Sequence, residues 1–304
     1  MNAAEYPRLI GICLEADKGR GEDCGFCTSH GSRALLGAFD GCGGLGARKY
    51  ADGRTGAAIA SQAASETALM WLRETGDAAG LKIRLDSALR ALMDEMEPAG
   101  RTNVGSMIKP FPTTACIATA EELPGCGIDC EFMWAGDSRG YVLRPDGLRQ
   151  LTRDDLRTDE DAFDNLYVDS PLSNMVNGTG DYIIHSRRVI AAGPAVVFAA
   201  TDGTFGYLPS PMHYEWMLLD AMQKADSFEG WRGRISEMTE SVTADDSTYM
   251  MAIFGWRDFA DMREAFAGRH AALEARLIAA RDEGDLREYW NEYRAGYYPA
   301  GDVI

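Results

Sequence analysis

Eight short runs rich in β-branched and aromatic residues punctuate the chain. They are LIGICLEA (9–16), ALLGAF (34–39), TACIATA (114–120), EFMWAG (131–136), GYVLR (140–144), IIHSRRVI (183–190), AVVFAAT (195–201) and TYMMAIFG (248–255). Most are bounded by Gly, Pro or Asp, which is how strands are punctuated. Pro145-Asp146-Gly147 is a tight turn between GYVLR and LRQLT, so this region predicts antiparallel hairpins. Helical blocks lie between the strands. Residues 55–73 place Ile59, Ala63, Met70 and Leu72 near one side, and 84–96 repeat Leu85, Leu89, Leu92 and Met96 at helical spacing. A second pair, about 213–224 and 228–240, precedes the last strand. The order of strands and paired helices predicts an α+β sandwich, and the lack of strict βαβα alternation disfavours a doubly wound sheet.

One domain is expected over 1–256, with an Asp-, Asn- and Gly-rich irregular insertion at about 156–182 that reads as a flap. From 257 to 304 the chain turns helical. Phe259, Met262, Phe266, Leu273 and Leu277 form one stripe, and Leu286, Trp290, Tyr293 and Tyr297 another, so this extension is expected to pack on its own domain. The net charge of −17 argues against broad binding to nucleic acid or anionic membrane. No apolar run approaches 18 residues and the first residues lack a secretory pattern, so the expected location is the cytoplasm. The pairs Cys24/Cys27 and Cys126/Cys130 suggest a zinc site. A three-residue offset within a strand, however, points Cys24 and Cys27 to opposite faces, and small buried thiols are the better reading.

The stretch LLGAFDGCGGLGARKY (35–50) carries three signatures. Gly41-x-Gly43-x-x-Gly46 spells a dinucleotide fingerprint, but ARKYADGRTG intervenes before the helical pattern, where a helix N-terminus is needed. Cys42-x5-Arg48 spells the phosphate loop of cysteine-dependent phosphatases, whose thiolate also relies on a helix N-terminus. Asp40-Gly41 at a strand end spells a carboxylate metal site. That third reading has company elsewhere: Glu22 and Asp23 stand beside a strand, Asp137 follows 131–136, Asp202 ends 195–201, and Asp245 and Asp246 precede 248–255. Oxygen ligands at strand ends suit hard divalent cations such as Mg²⁺ and Mn²⁺.

In order, these segments resemble the metal-dependent protein Ser/Thr phosphatases of the 2C type (PPM family) over roughly residues 9–255. RGED is similar to the family's Asn-Glu-Asp segment, GAFDGCGG to Phe-Asp-Gly-His-Gly-Gly, and FPTTACIA to Gly-Thr-Thr-Ala. AGDSRGYVLRPDGLRQLTRDD is similar to the Gly-Asp-Ser-Arg hairpin, FAATDGTF to Ser-Asp-Gly, and ADDSTYMMAIF to the Asp-Asn-x-Thr strand. The resemblance implies an antiparallel β-sandwich flanked by helix pairs (αββα) and a centre of two, or with Asp137 three, Mn²⁺ or Mg²⁺ ions. It implies that Asp40 bridges two ions, that Gly41 offers its carbonyl, that Asp202 and Asp246 hold the second ion, and that Glu22 and Asp23 support the site. The implied activity is hydrolysis of phosphoserine and phosphothreonine in proteins by a metal-activated water, opposing a Ser/Thr kinase. Thr113, Thr114 and Ser138 are expected to hydrogen-bond near the site.

Three positions depart from the family's pattern. Cys42 stands where a His often does, Ser247 where Asn does, and the phosphate-binding cation is either Lys18 or Arg20, with the forked guanidinium of Arg20 preferred. In an extended segment Lys18, Arg20 and Glu22 share a face. Two competing readings stay open: a catalytically silent 2C-like binding domain, and a cysteine-dependent phosphatase using Cys42 and Arg48.

Overall fold

The structure, a computed structural model, describes residues 7–74, 80–96, 109–158, 160–168 and 170–304. Asp159 and Asp169 of the expected flap lie outside the described residues. Two five-stranded antiparallel sheets face each other. The first runs β1 (Arg8–Leu14), β10 (Ser247–Phe254), β9 (Ala195–Ala200), β6 (Arg139–Arg144), β7 (Gly147–Gln150). The second runs β2 (Cys24–His30), β3 (Arg33–Phe39), β4 (Ala115–Leu123), β5 (Gly127–Ala135), β8 (His185–Ala191).

Strand β9 is apolar at every position, and β3 at all but its first, because both of their faces are covered. In β3, Ala34 and Leu36 join the core between the sheets while Leu35 and Phe39 join the layer under the helices. In β9, Val197 faces inward and Val196 and Phe198 outward. The two-residue period of a pleated strand divides each run between the two cores. Helices α2 (Gly56–Glu74) and α3 (Leu81–Met96) cover the second sheet, and α4 (Pro211–Gln223) and α5 (Phe228–Glu240) cover the first. The expected αββα sandwich is therefore what the chain folds into.

Met70 does not join the α2 contact: it is 59% exposed, and the buried face is Ile59, Ala60, Ala64, Ala68 and Leu72. Runs of alanine let α2 sit close to the sheet, so its packing face is marked by small residues rather than by its largest apolar one. Helix α4 is buried nearly all round because two further helices, α6 (Phe259–Ala279) and α7 (Glu283–Tyr297), pack outside it and against β7. Phe259, Met262, Phe266, Leu273, Trp290, Tyr293 and Tyr297 of the C-terminal stripes are all buried in the same cluster as β6, β9 and α4. Glu215 of α4, fully buried, takes both forks of Arg269 at 2.7 Å and the Tyr293 hydroxyl at 2.5 Å. No described helix is long and apolar enough to cross a membrane.

All seven cysteines are free thiols. Cys24 neighbours Ser65 of α2, whereas the Cys27 thiol points between the sheets to the Met251 carbonyl at 3.3 Å. The two sulfurs thus sit on opposite faces of β2, as the offset predicts.

Candidate metal centre

Asp40 sits one residue beyond β3, where the strand leaves the sheet. Its backbone is clamped from both sides: Thr114 N–H donates to the Asp40 carbonyl at 2.8 Å, as does the Thr113 hydroxyl at 2.8 Å, and Asp40 N–H donates to Thr114 Oγ1 at 3.2 Å. Thr114 Oγ1 lies 2.7 Å from Ser138 Oγ. These three hydroxyl residues tie the β3 exit to the loop carrying Asp137, the structural role expected of them. Gly41 is buried and bridges Thr113. Gly43 is required by a neighbour: a Cβ there would fall 2.2 Å from Glu22 Oε2. Gly203 is equally constrained, since its Cβ would fall 1.9 Å from the Asp246 carbonyl.

Around Asp40 the fold brings together Asp23, Asp137, Asp202 and Asp245, all at one edge of the sandwich. Burial and then the neighbouring Asp202, Asp23, Asp137 and Asp245 hold the Asp40 carboxyl well above the usual carboxylate range. Asp137 is pushed the same way by burial and by Asp202 and Asp154, and its Oδ1 is buried with no hydrogen-bond partner among the described residues. Burial and Asp245 raise Asp202 to about 6. Asp23 rises to about 8 through burial and the charge of Asp202, against the Thr201 hydroxyl that donates to it at 2.7 Å. Uncompensated buried carboxylates at this density take up protons or a cation.

The neighbours Asp245 and Asp246 part company. Asp246, the member the sequence resemblance points to, accepts Ala16 N–H at 2.8 Å and Glu22 N–H at 2.5 Å, so its carboxylate is occupied by backbone. Asp245 is the one whose charge acts on both Asp40 and Asp202 and which lines the groove beside them. A signal for this was present in the sequence: an Asp-x-x-Thr spacing counted back from Thr248 lands on Asp245. Glu22 bonds the Thr55 hydroxyl and is raised by burial and by Asp246 and Asp245.

The segment carrying Lys18 and Arg20 is not extended. Strand β1 ends at Leu14, Gly19 takes a left-handed φ of 78°, and Arg20 N–H closes a turn on the Asp17 carbonyl at 2.9 Å. Lys18 and Arg20 therefore do not share a strand face with Glu22; they stand on an exposed loop, Arg20 pairing with Asp17 at 3.0 Å. Asp246 fastens both ends of that loop.

One turn of helix, α1 (Gly43–Gly46), follows Cys42 directly, and the long helix begins at Gly56. The Cys42 thiol is nonetheless pushed well up, by burial and then by Asp40, Asp137 and Asp202, the reverse of what a thiolate nucleophile needs. Arg48 stacks its guanidinium 4.9 Å from the centre of the Tyr50 ring.

Residues that sequence reasoning did not single out complete the site. Asp154 is held bidentately by buried Arg139, at 2.9 and 2.6 Å, and Asn165 donates to it at 3.1 Å. A groove of about 440 Å³ opens over Asp137, Asp202 and Asp245, and its rim is Leu166, Tyr167, Val168 and Tyr207. Elsewhere, ligand atoms of Asp220, His270 and Glu274 lie within 4.8 Å of one another between α4 and α6. There Lys224 already holds Asp220 at 2.8 Å within α4, and His270 Nε2 of α6 lies 3.4 Å from the other Asp220 oxygen.

No protein-family profile matches the sequence, and no curated protein matches it. Solved structures do match by shape. The chain is similar to a bacterial serine phosphatase (TM-score 0.62, 14% identity, 82% of this chain and 99% of that one). It is similar to the PPM Ser-Thr phosphatase MsPP from Mycobacterium smegmatis in complex with cacodylate (0.57, 15%, 82% and 98%). It is also similar to the catalytic domain of the serine threonine protein phosphatase PstP in complex with two manganese ions (0.51, 20%, 81% and 97%). The chain has the fold of the PPM-type Ser/Thr phosphatases.

Proposed function

We propose that this chain is a metal-dependent phosphoprotein phosphatase that hydrolyses phosphoserine and phosphothreonine at a two-metal centre. The observation that carries the reading is the gathering of Asp23, Asp40, Asp137, Asp202 and Asp245 at one sandwich edge, with raised carboxyls and an unpartnered Asp137 oxygen. An all-oxygen donor set of this charge fits Mn²⁺ or Mg²⁺. Asp40 would bridge two ions, Gly41 would contribute its carbonyl, and Asp202 with Asp245 would hold the second. Asp137 with Asp202 would take a third, and Glu22 and Asp23 would support the set. When bound, the ions supply Lewis acidity and a nucleophile at neutral pH.

The chain's own residues do the rest. Thr113 and Thr114 fix the backbone of Asp40, Ser138 bonds the Thr114 hydroxyl, and Thr201 orients Asp23. Arg20, with Lys18 beside it, would bind the substrate phosphate from the loop that Asp246 anchors. Cys42 is assigned no nucleophilic part, since a metal-activated water takes that role. A cognate Ser/Thr kinase would supply the substrate. The seven free thiols suit a reducing compartment, so we place the protein in the cytoplasm.

Hydrolysis of para-nitrophenyl phosphate and a phosphothreonine peptide, with Mn²⁺ or with EDTA, tests this in wild type, Asp202→Ala and Cys42→Ser. The expected outcome is metal-dependent activity, lost in Asp202→Ala and kept in Cys42→Ser. Metal-independent activity that Cys42→Ser abolishes would overturn the reading in favour of a cysteine phosphatase. No activity with any metal would overturn it in favour of a silent binding domain.

A further inference from the structure

The flap and the C-terminal helix are joined in detail. Trp290 of α7, 1% exposed, donates its indole N–H to Asp161 Oδ2 at 2.7 Å. The other oxygen of Asp161 accepts Phe163 N–H at 3.0 Å and Asp164 N–H at 3.1 Å, closing the short turn that leads to Leu166, Tyr167 and Val168. Phe163 is fully buried with its ring 6.2 Å from Trp290, and Arg287 caps the same ring at 4.8 Å while bonding Asp164 at 2.6 Å. Tyr298 receives Ala162 N–H at 2.8 Å.

The other end of the turn leads to the centre. Asn165 donates to Asp154, Asp154 is forked by Arg139, and Arg139 is two residues from Asp137. Tyr167 closes the wall by donating to the Pro209 carbonyl at 2.8 Å, just past Tyr207. The wall presents exposed apolar surface to the groove: Tyr167 is 50% exposed, Val168 43% and Tyr207 48%.

We propose that α7 is the brace that sets this wall, and that the wall selects phosphopeptides carrying an apolar or aromatic residue beside the phosphorylated one. The second half rests on the phosphatase reading; the first does not. Trp290 and Arg287 are positioning residues acting through the turn at 161–164, and Tyr167, Val168 and Tyr207 make the contact. Burying one aliphatic or aromatic neighbour against such a surface is worth several-fold in recognition.

The test uses the full chain with Mn²⁺, comparing wild type with Trp290→Phe, Arg287→Ala and Val168→Ser. Trp290→Phe removes the donor together with part of the buried indole, and Arg287→Ala, a change in a side chain 44% exposed, removes the other brace contact with Trp290 and the core left in place. Two phosphothreonine peptides, differing only in Leu or Ser beside the phosphothreonine, are compared with para-nitrophenyl phosphate, which has no flanking residue. The expected result is a wild-type preference for the Leu peptide of about fivefold, the scale of one partly buried apolar side chain. All three variants are expected to lose it through KM, by a larger factor than any change in para-nitrophenyl phosphate turnover. Hydrogen exchange over 160–168 is expected to quicken in Trp290→Phe and Arg287→Ala but not in Val168→Ser. Unchanged exchange in both brace variants would overturn the brace, whether or not the chain is an active phosphatase. Faster exchange with an unchanged preference, or an equal loss on all three substrates, would overturn the selection.

Discussion

Asp245 and Asp246 are adjacent and chemically identical, and they serve different ends. One faces the carboxylates of the centre; the other accepts two backbone N–H groups and pins the loop of Lys18 and Arg20. Asparagine substitution separates them, because it keeps the shape and removes the charge. Asp245→Asn is expected to cut Mn²⁺-dependent kcat by on the order of a hundredfold or more. Asp246→Asn retains one acceptor and is expected to raise KM about tenfold with a smaller change in kcat, the scale of a residue that supports a metal site from outside. Steady-state kinetics on para-nitrophenyl phosphate read both, and the reverse ranking would return the metal-binding role to Asp246. The same local view accounts for Gly43 of GAFDGCGG, which leaves room for the Glu22 carboxylate without any nucleotide phosphate.

The elements that frame the site are held by partners distant in sequence. Helix α4 is clamped between sheet and α6 by Glu215 and Arg269, with Tyr293 of α7 on the same carboxylate. Arg269→Met would leave Glu215 charged, buried and served by one hydroxyl, a loss of about 3–5 kcal/mol. The urea midpoint is expected to fall accordingly with the m-value unchanged. A loss under about 1 kcal/mol would mean that α6 and α7 are not integral to the domain's core. The flap illustrates the same dependence: its Asp161, Phe163 and Asp164 are satisfied chiefly by α7, more than a hundred residues later.

At the scale of the whole molecule, the acidic balance has a pH signature. A carboxyl whose folded pKa is raised binds more protons folded than unfolded. Its penalty therefore begins above the ordinary carboxylate value and grows until pH passes the folded pKa. Asp202 at about 6 and Asp23 at about 8 set that window between about 4 and 8, and Asp40 and Asp137, whose carboxyls are also raised, act in the same direction. In EDTA the melting temperature is expected to fall as pH rises across it. Mn²⁺ is expected to cancel the fall by binding the charged carboxylates of the folded state alone. Asp23→Asn should flatten the EDTA curve in its upper half; an unchanged slope would place the pH dependence elsewhere.

Sequence by itself determined the sandwich and marked most of the carboxylates that the fold gathers at one edge. Strands covered on both faces are largely apolar, helices show a period, and carboxylates written at strand ends arrive at one edge once the strands are stacked. Tertiary structure decided what depends on contacts across the chain. Asp246 is claimed by amides 230 and 224 residues away, which no local pattern announces. Met70 faces solvent because alanines let α2 approach the sheet closely, and the turn after Leu14 takes Lys18 and Arg20 off any strand face. The flap's wall waits on a tryptophan in the last helix. Side-chain type and spacing are local properties and can be read in order; which of two equal carboxylates meets a backbone amide and which meets another charge is a property of the packed molecule.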